Sequence, residues 1–98
     1  MNHLEMVRIR LFNLSDSHQV NILFQQFKES LNDIADHEAH IALWKNTYVE
    51  NDWLIHLAFL NPSANKRILT QAAHLIEALR MIGMVNHERW DPVETIKK

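Results

Sequence analysis

The stretch that decides the fold is Trp53-Leu54-Ile55-His56-Leu57-Ala58-Phe59-Leu60, which contains neither glycine nor proline. Successive residues of a strand point to opposite faces of its sheet. Both of the alternating sets in this stretch are mainly apolar, and His56 is the one polar member. A strand that is apolar on both faces usually lies in the centre of a sheet. We therefore predict a central strand over Trp53–Leu60.

The preceding segment predicts the other arm of a β-hairpin. Ala39–Tyr48 alternates, with Ile41 and Leu43 on one face and His40, Ala42 and Trp44 on the other. The residues Val49-Glu50-Asn51-Asp52 are typical of a turn. Two such strands separated by a short turn indicate antiparallel pairing.

Helical patterns flank this hairpin. Apolar residues recur at steps of three and four over Asp16–Ile34, and again after Asn61-Pro62-Ser63. Ser15-Asp16-Ser17 offers short side chains that can accept hydrogen bonds from the first turn of the first helix. Gly83 is predicted to end the second helix in the left-handed conformation.

Two further strands complete the prediction, at Met6–Leu14 and Met84–Trp90, and Asp91-Pro92 closes the second of them. The order β-α-β-β-α-β predicts an α+β, ferredoxin-like domain, in which two helices cover one face of a four-stranded antiparallel sheet. The 98 residues suffice for one domain, with an ordered core of about 6–92 and a short mobile tail at 93–98.

Composition excludes several classes of function. The chain has no cysteine, which excludes disulfides and thiolate metal sites, and its single glycine excludes glycine-rich phosphate loops. A net charge of −2 argues against a broad nucleic-acid surface. No signal peptide or membrane-spanning run is recognisable. We predict a cytoplasmic protein with no cofactor, no membrane association and no nucleic-acid partner.

The sheet face away from the helices is predicted to be too apolar to remain in water. A large exposed apolar patch is rare on soluble monomers, and pairing with a second copy across a two-fold axis would cover it. We therefore predict a homodimer. The apolar residues assigned to this face are Met6, Phe12, Ala42, Trp44, Leu54, Ala58 and Leu60.

The chain resembles the dimeric α+β barrel superfamily, and within it the antibiotic-biosynthesis-monooxygenase-like proteins. The resemblance lies in the element order, in Trp53–Phe59 running into a helix, in Ala72-Ala73-His74-Leu75, and in Glu88-Arg89-Trp90-Asp91-Pro92. It implies a homodimer whose two sheets face each other. It also implies activities such as cofactor-independent oxygenation of quinols and polyketide phenols, or haem degradation.

Candidate site residues share the face that the helices leave open, and we predict that Arg10, Trp44 and His56 form a polar pocket there. Arg10 would hold an anionic or phenolic ligand, His56 would act as the base, and Trp44 would stack on a ring. The alternative is a structural polar network, for example with Arg10 paired to Glu88 on a neighbouring strand. Other polar or aromatic residues assigned to the face are Arg8, His40 and Trp90.

Histidines elsewhere give weaker signals. His74 is the nearest match to a histidine often found in the second helix of this family, where it would be a base or a haem ligand. At 100° per residue it lies about 200° from Ala72, which predicts an exposed side chain. His37 and His40 lack a third ligand at suitable spacing, so no metal site is predicted.

These observations predict a small homodimer that is a cofactor-independent monooxygenase-like enzyme acting on a phenol or quinol. Two alternatives stay open at this point. The first is a non-catalytic dimer that binds a ligand or a partner, and the second is a haem-binding protein.

Overall fold

The computed structural model describes residues 3–32, 39–59, 66–94 and 96. A short 3-10 turn at Leu14–Asp16 precedes the first helix. The remaining elements, in chain order, are β1 His3–Leu11, α1 Ser17–Ser30, β2 His40–Lys45, β3 Asp52–Phe59, α2 Lys66–Arg80 and β4 Gly83–Trp90.

The four strands form one antiparallel sheet in the order β2-β3-β1-β4, and both helices pack on the same face. The predicted βαββαβ architecture is therefore confirmed. β3 lies in the interior of the sheet, between β2 and β1, as its apolar character on both faces predicted. Its bounds are one residue earlier than expected at the start, and Leu60 lies outside the described residues.

The core lies between the sheet and the helices, and alternation within the strands decides which residues enter it. On β1, Val7, Ile9 and Leu11 are buried, while the intervening Arg8 and Arg10 are exposed. Burying each large aliphatic or aromatic side chain stabilises the fold by roughly 1.5–3 kcal/mol. The other strands and helices contribute Trp53, Ile55, Leu57, Phe59, Val20, Phe24, Phe27, Ile68, Ala72, Leu75, Ile76 and Leu79.

The start of α1 differs from the prediction. No side chain caps it, and the 3-10 turn leads directly into the helix. The hydroxyl of Ser17 instead donates to the carbonyl oxygen of Leu14 at 2.7 Å. The predicted end of α1 near Ile34 and the predicted start of α2 after Pro62 both lie outside the described residues.

Gly83 also has a different role from the one predicted. It does not adopt a left-handed conformation, and it is the first residue of β4 instead of the end of α2. A Cβ atom at this position would lie 2.5 Å from the carbonyl oxygen of Arg10 and 2.8 Å from Cγ1 of Ile9. Glycine is therefore required by the close approach of β4 to β1 and not by its conformational freedom.

Within the described residues, neither helix combines the length and the apolar character needed to cross a membrane. Beyond β4, Val93, Glu94 and Ile96 are exposed. The mobility of the segment 93–98 stays a prediction.

Candidate functional site on the open face of the sheet

The face of the sheet opposite the helices, here called the open face, carries the predicted site residues. The prediction that Arg8, Arg10, His40, Trp44 and His56 share this face is confirmed by the strand register. In strand order β2-β3-β1-β4, two adjacent rows across the face are Ala42–His56–Met6–Glu88 and Trp44–Leu54–Arg8–Asn86, and the next row contains Asp52–Arg10–Met84.

Leu54 is the centre of one compact group. Trp44 lies opposite it on β2 and Arg8 lies opposite it on β1. His56 follows two residues later on β3 and is the diagonal neighbour of both, at about 7–8 Å between Cα atoms. An aromatic ring, a cation and an imidazole thus surround one leucine. We call Arg8, Trp44, Leu54 and His56 the Leu54 patch.

The cation of this patch interacts with the Asp52 carboxylate only at longer range, through its charge. Arg8 is exposed and forms no hydrogen bond or ion pair with any described residue. A hollow of about 290 Å³ lies beside it, and Trp44, which is 58% exposed, forms part of its wall. The remaining lining residues are Lys45, Asn46, Asp52, Trp53 and Leu54.

Arg10 forms a two-point ion pair with Asp52, because the two residues lie opposite each other on β1 and β3. Nε donates to Oδ1 at 2.7 Å and Nη2 donates to Oδ2 at 2.8 Å. These hydrogen bonds hold the pKa of Asp52 below its usual value, against the opposing effect of burial, and they raise the pKa of Arg10. The predicted pairing of Arg10 with Glu88 is wrong, since Glu88 lies opposite Met6.

Arg10 and His56 are well separated along the sheet. Asp52, which lies opposite Arg10, precedes His56 by four positions on β3. At 3.4 Å per residue this corresponds to about 14 Å. The two side chains share the open face but not one small binding position.

Sequence reasoning missed a second polar cluster, on the helix-covered side of the same β1 strand. Glu5 is fully buried there, and we call it and its partners the Glu5 cluster. Arg89 Nε donates to Oε1 of Glu5 at 2.8 Å, and His87 Nε2 lies 3.2 Å from the same oxygen. His3 Nε2 lies 3.0 Å from Oε2, and its Nδ1 lies 2.5 Å from Oδ1 of Asp91.

A signal for this cluster was present in the alternation of the strands. Glu5 is in phase with the buried Val7 and Ile9, so a strand that extends back to His3 places a carboxylate among core residues. His87 and Arg89 are likewise in phase with Val85, which packs against the core. The predicted strand began at Met6, and this boundary removed Glu5 from consideration.

The chain matches no family model and no curated protein. It does match solved structures over nearly its full length. The cofactor-independent oxygenase SnoaB from Streptomyces nogalater is 14% identical, with 99% of this chain and 98% of that chain covered and a TM-score of 0.67. Rv0793 from Mycobacterium tuberculosis is 7% identical, with 99% and 100% covered and a TM-score of 0.73. A provisionally assigned antibiotic biosynthesis monooxygenase from Bacteroides thetaiotaomicron is 13% identical, with 99% and 94% covered and a TM-score of 0.69.

The fold is that of the antibiotic-biosynthesis-monooxygenase-like proteins. The resemblance drawn from the sequence is confirmed at this level. At identities of 7–14% the likeness concerns the fold alone, and activity has to be argued from the side chains.

His74 has no place in a site on the open face of this monooxygenase-like fold. It is exposed on α2, as predicted, and it lines a groove of about 170 Å³ between the two helices. His40 lies at an edge of the open face, and His37 lies outside the described residues. Among the described residues, no three histidine, aspartate or glutamate side chains are arranged to hold a metal ion.

Proposed function

We propose that the protein is a homodimeric, cofactor-independent monooxygenase-like enzyme that acts on a phenol or quinol at the open face. The observation that carries the proposal is the Leu54 patch, which combines an imidazole with an aromatic wall on a sheet face that the helices leave uncovered. The fold shared with a cofactor-independent oxygenase supports the same reaction class.

A second copy of the chain supplies the cover that the open face lacks. Trp44, Met84 and Trp90 on this face are 58%, 68% and 55% exposed, which is unfavourable for large apolar side chains. Four strands of six to nine residues give a face of roughly 500 Å². Two such faces bury about 1,000 Å² in total, near the lower bound for a specific interface. The enclosed space between them would be poor in water.

The reaction needs a base and a site that excludes water. His56 would accept the proton of the phenol or quinol hydroxyl, which leaves an electron-rich anion. That anion can transfer an electron to O2 and then combine with the reduced oxygen. When an activated CH2 carbon is oxidised to a carbonyl, one oxygen atom enters the product. The other oxygen atom leaves as water with the two hydrogens of that carbon.

Trp44 and Arg10 have separate roles in the proposal. Trp44 would stack on the substrate ring beside His56, since the two are diagonal neighbours. Arg10 would hold an anionic or phenolic group at the other end of the face, through the Nη1 group that Asp52 does not engage. This assignment requires a substrate that extends about 14 Å along the sheet from His56.

The proposal is tested by oxygen uptake with a panel of quinols and of polycyclic phenols that carry an activated CH2 group. We expect uptake above the rate without protein, and we expect His56→Ala to lower kcat/KM by about 10²–10⁴-fold, the usual contribution of a general base. Trp44→Ala should act mainly on KM.

The matched control is His74→Ala, because this histidine lies on α2 away from the open face. It should retain the wild-type rate. Equal rates of oxygen uptake for wild type and His56→Ala would show that His56 is not the base. A monomer in analytical ultracentrifugation would show that no enclosed pocket forms between two copies.

A second candidate function is a dimer that binds a small aromatic ligand without turnover. The Arg10–Asp52 pair favours it, since a cation that is already neutralised by a neighbouring carboxylate is typical of a structural network. This alternative predicts that an aromatic ligand raises the melting temperature while no oxygen is consumed.

A further inference from the structure

The hollow beside the Leu54 patch has an unbalanced charge. Arg8 and Lys45 line it together with one carboxylate, that of Asp52. Asp52 is already engaged at both oxygens by Arg10. The charge of Arg8 attracts this carboxylate and helps to lower the pKa of Asp52, but Arg8 forms no direct hydrogen bond or ion pair with a described residue.

Arg8 is also the cation that shares the open face with the aromatic wall and His56 in adjacent rows. It lies directly opposite Leu54 and diagonal to His56, at about 7–8 Å between Cα atoms. Arg10 lies one row further from the patch and is paired. A second hollow of about 290 Å³ also borders Arg8, and it is lined by Arg10, Asp52, Met84, Val85 and Asn86.

Asn46 also lines this hollow and provides a neutral hydrogen-bond donor. The side-chain oxygen of Asn46 accepts hydrogen bonds from the backbone N–H groups of Tyr48 and Val49, at 2.8 and 3.0 Å. This arrangement fixes the orientation of the Asn46 amide and leaves its NH2 group as a donor. The hollow thus offers an aromatic wall, a guanidinium and an amide donor within one volume of about 290 Å³.

From this arrangement we infer that the hollow binds an aromatic ligand that carries an anionic group, with Arg8 as the residue that recognises the anion. A carboxylate fits the planar guanidinium through two parallel hydrogen bonds, and the ring stacks on Trp44. The inference deepens the proposed function, on whose pocket it rests, because it specifies the substrate class as acidic phenols or quinols. Arg8 recognises the carboxylate beside the Leu54 patch, and Arg10 keeps its place at the far end of a longer substrate.

Glu88 sets a limit on the affinity. It is the diagonal neighbour of Arg8 across the β1–β4 seam and forms no hydrogen bond or ion pair with a described residue. Its charge opposes the entry of an anion near Arg8. Removing that charge should strengthen binding of an anionic ligand and leave a neutral one unaffected.

The experiment is isothermal titration calorimetry of the whole protein with a hydroxynaphthoate and with the hydroxynaphthamide of the same shape. Wild type should bind the carboxylate at least tenfold more tightly than the amide, and this preference should shrink as salt is raised. Arg8→Met should abolish the preference, Arg8→Lys should restore part of it, and Glu88→Gln should increase it. Arg80→Met is the matched control, because this arginine lies on α2 away from the open face, and it should leave the preference within about twofold.

Several results would overturn the inference. These are equal binding of the two probes by wild type, binding of neither probe, or a loss of the preference in Arg80→Met as large as that in Arg8→Met. Circular dichroism of each variant separates a lost site from a lost fold. The binding test involves no turnover, so it is distinguishable from the oxygen-uptake test. A preference for the carboxylate without oxygen consumption would support this binding site and contradict the proposed enzyme. Oxygen uptake with equal binding of the two probes would support the enzyme and contradict this binding site.

Discussion

The two faces of β1 carry two ionic clusters that differ in burial and in how completely their charges are paired. On the helix side, the Glu5 carboxylate is fully buried and contacts two histidines and one arginine. On the open face, the Asp52 carboxylate accepts hydrogen bonds only from Arg10 among the described residues, and Arg8 forms no direct hydrogen bond or ion pair with any of them. Yet Arg89 and Arg10 are equally exposed, at 60% of their side chains. The clusters differ instead in the carboxylate, whose side chain is 1% exposed in Glu5 and 10% exposed in Asp52.

In the function proposed above, this difference separates a structural role for the Glu5 cluster from a binding role for the open face. A buried charge that loses its partners is costly, so the Glu5 cluster fixes the pairing of β1 with β4. The open face keeps a charge available for a ligand or a second copy. Fully satisfied polar groups hold a fold together, whereas unsatisfied groups beside an aromatic wall are candidates for binding.

The largest expected effect comes from Glu5→Gln, which retains the shape of the side chain and removes its charge. Arg89 would lose its anionic partner, and the amide would offer one acceptor oxygen where the carboxylate offers two to Arg89 and the two histidines. The free energy of unfolding should therefore fall by about 3 kcal/mol, the lower value for a broken buried ion pair. Urea denaturation at pH 7 measures this change. If Glu5→Gln lowered the free energy of unfolding by less than Asp52→Asn does, the comparison of the two clusters would be contradicted.

Gly83→Ala tests the seam between β1 and β4, which the Glu5 cluster spans. Its Cβ would contact the carbonyl oxygen of Arg10 at 2.5 Å, and a backbone atom cannot rotate away. We expect a loss of about 2 kcal/mol, which is within the range for overpacking. Urea denaturation measures it, and an unchanged unfolding midpoint would show that the strands separate more easily than their contacts indicate.

Asp52→Asn should have a smaller effect, and one that depends on pH. The folded pKa of Asp52 is lowered by Arg10, so the ion pair stabilises the fold above the unfolded pKa of about 3.9 and this contribution is lost as the pH falls below it. Wild type should therefore be more stable than Asp52→Asn at pH 7, and this difference should shrink as the pH falls from about 4 through the lowered folded pKa. Unfolding midpoints at several pH values measure this. A difference in unfolding midpoint that grows as the pH falls would contradict a stabilising ion pair at Asp52.

The smallest effect is expected for His74→Ala, on a surface that belongs to neither cluster. The side chain is exposed on α2, and such substitutions usually change stability by less than about 0.5 kcal/mol. Haem titration gives a second measurement. Loss of a visible absorption band in His74→Ala, where wild type shows one, would revive a role for this histidine as an axial ligand.

Much of the fold could be predicted from local patterns. The alternation of β3 indicated an interior strand, and the steps of three and four in α1 and α2 indicated helices with one apolar side. Boundaries were less accurate, and the three-residue shift at the start of β1 concealed Glu5. The open face was also predictable, because a period of two assigns each residue of a strand to one side.

Which side chains pair with each other was not predictable in the same way. Arg10 and Glu88 share the open face, and alternation alone allowed them to pair. In the sheet, Arg10 lies opposite Met84 on β4, and Glu88 is four positions further along that strand, about 14 Å away. Asp52 reaches Arg10 instead, because the β2–β3 turn ends beside it.

The sequence by itself determined the element order, the two faces of each strand and the excess of apolar residues on the open face, since these follow from short-range periodicity and composition. Only the tertiary structure decided that Arg10 meets Asp52, that Glu5 is enclosed by His3, His87 and Arg89, and that Arg8 is left beside Trp44 and His56. The physical reason is that the side-chain period of a strand fixes the face of a residue, whereas strand register fixes its neighbours across the sheet.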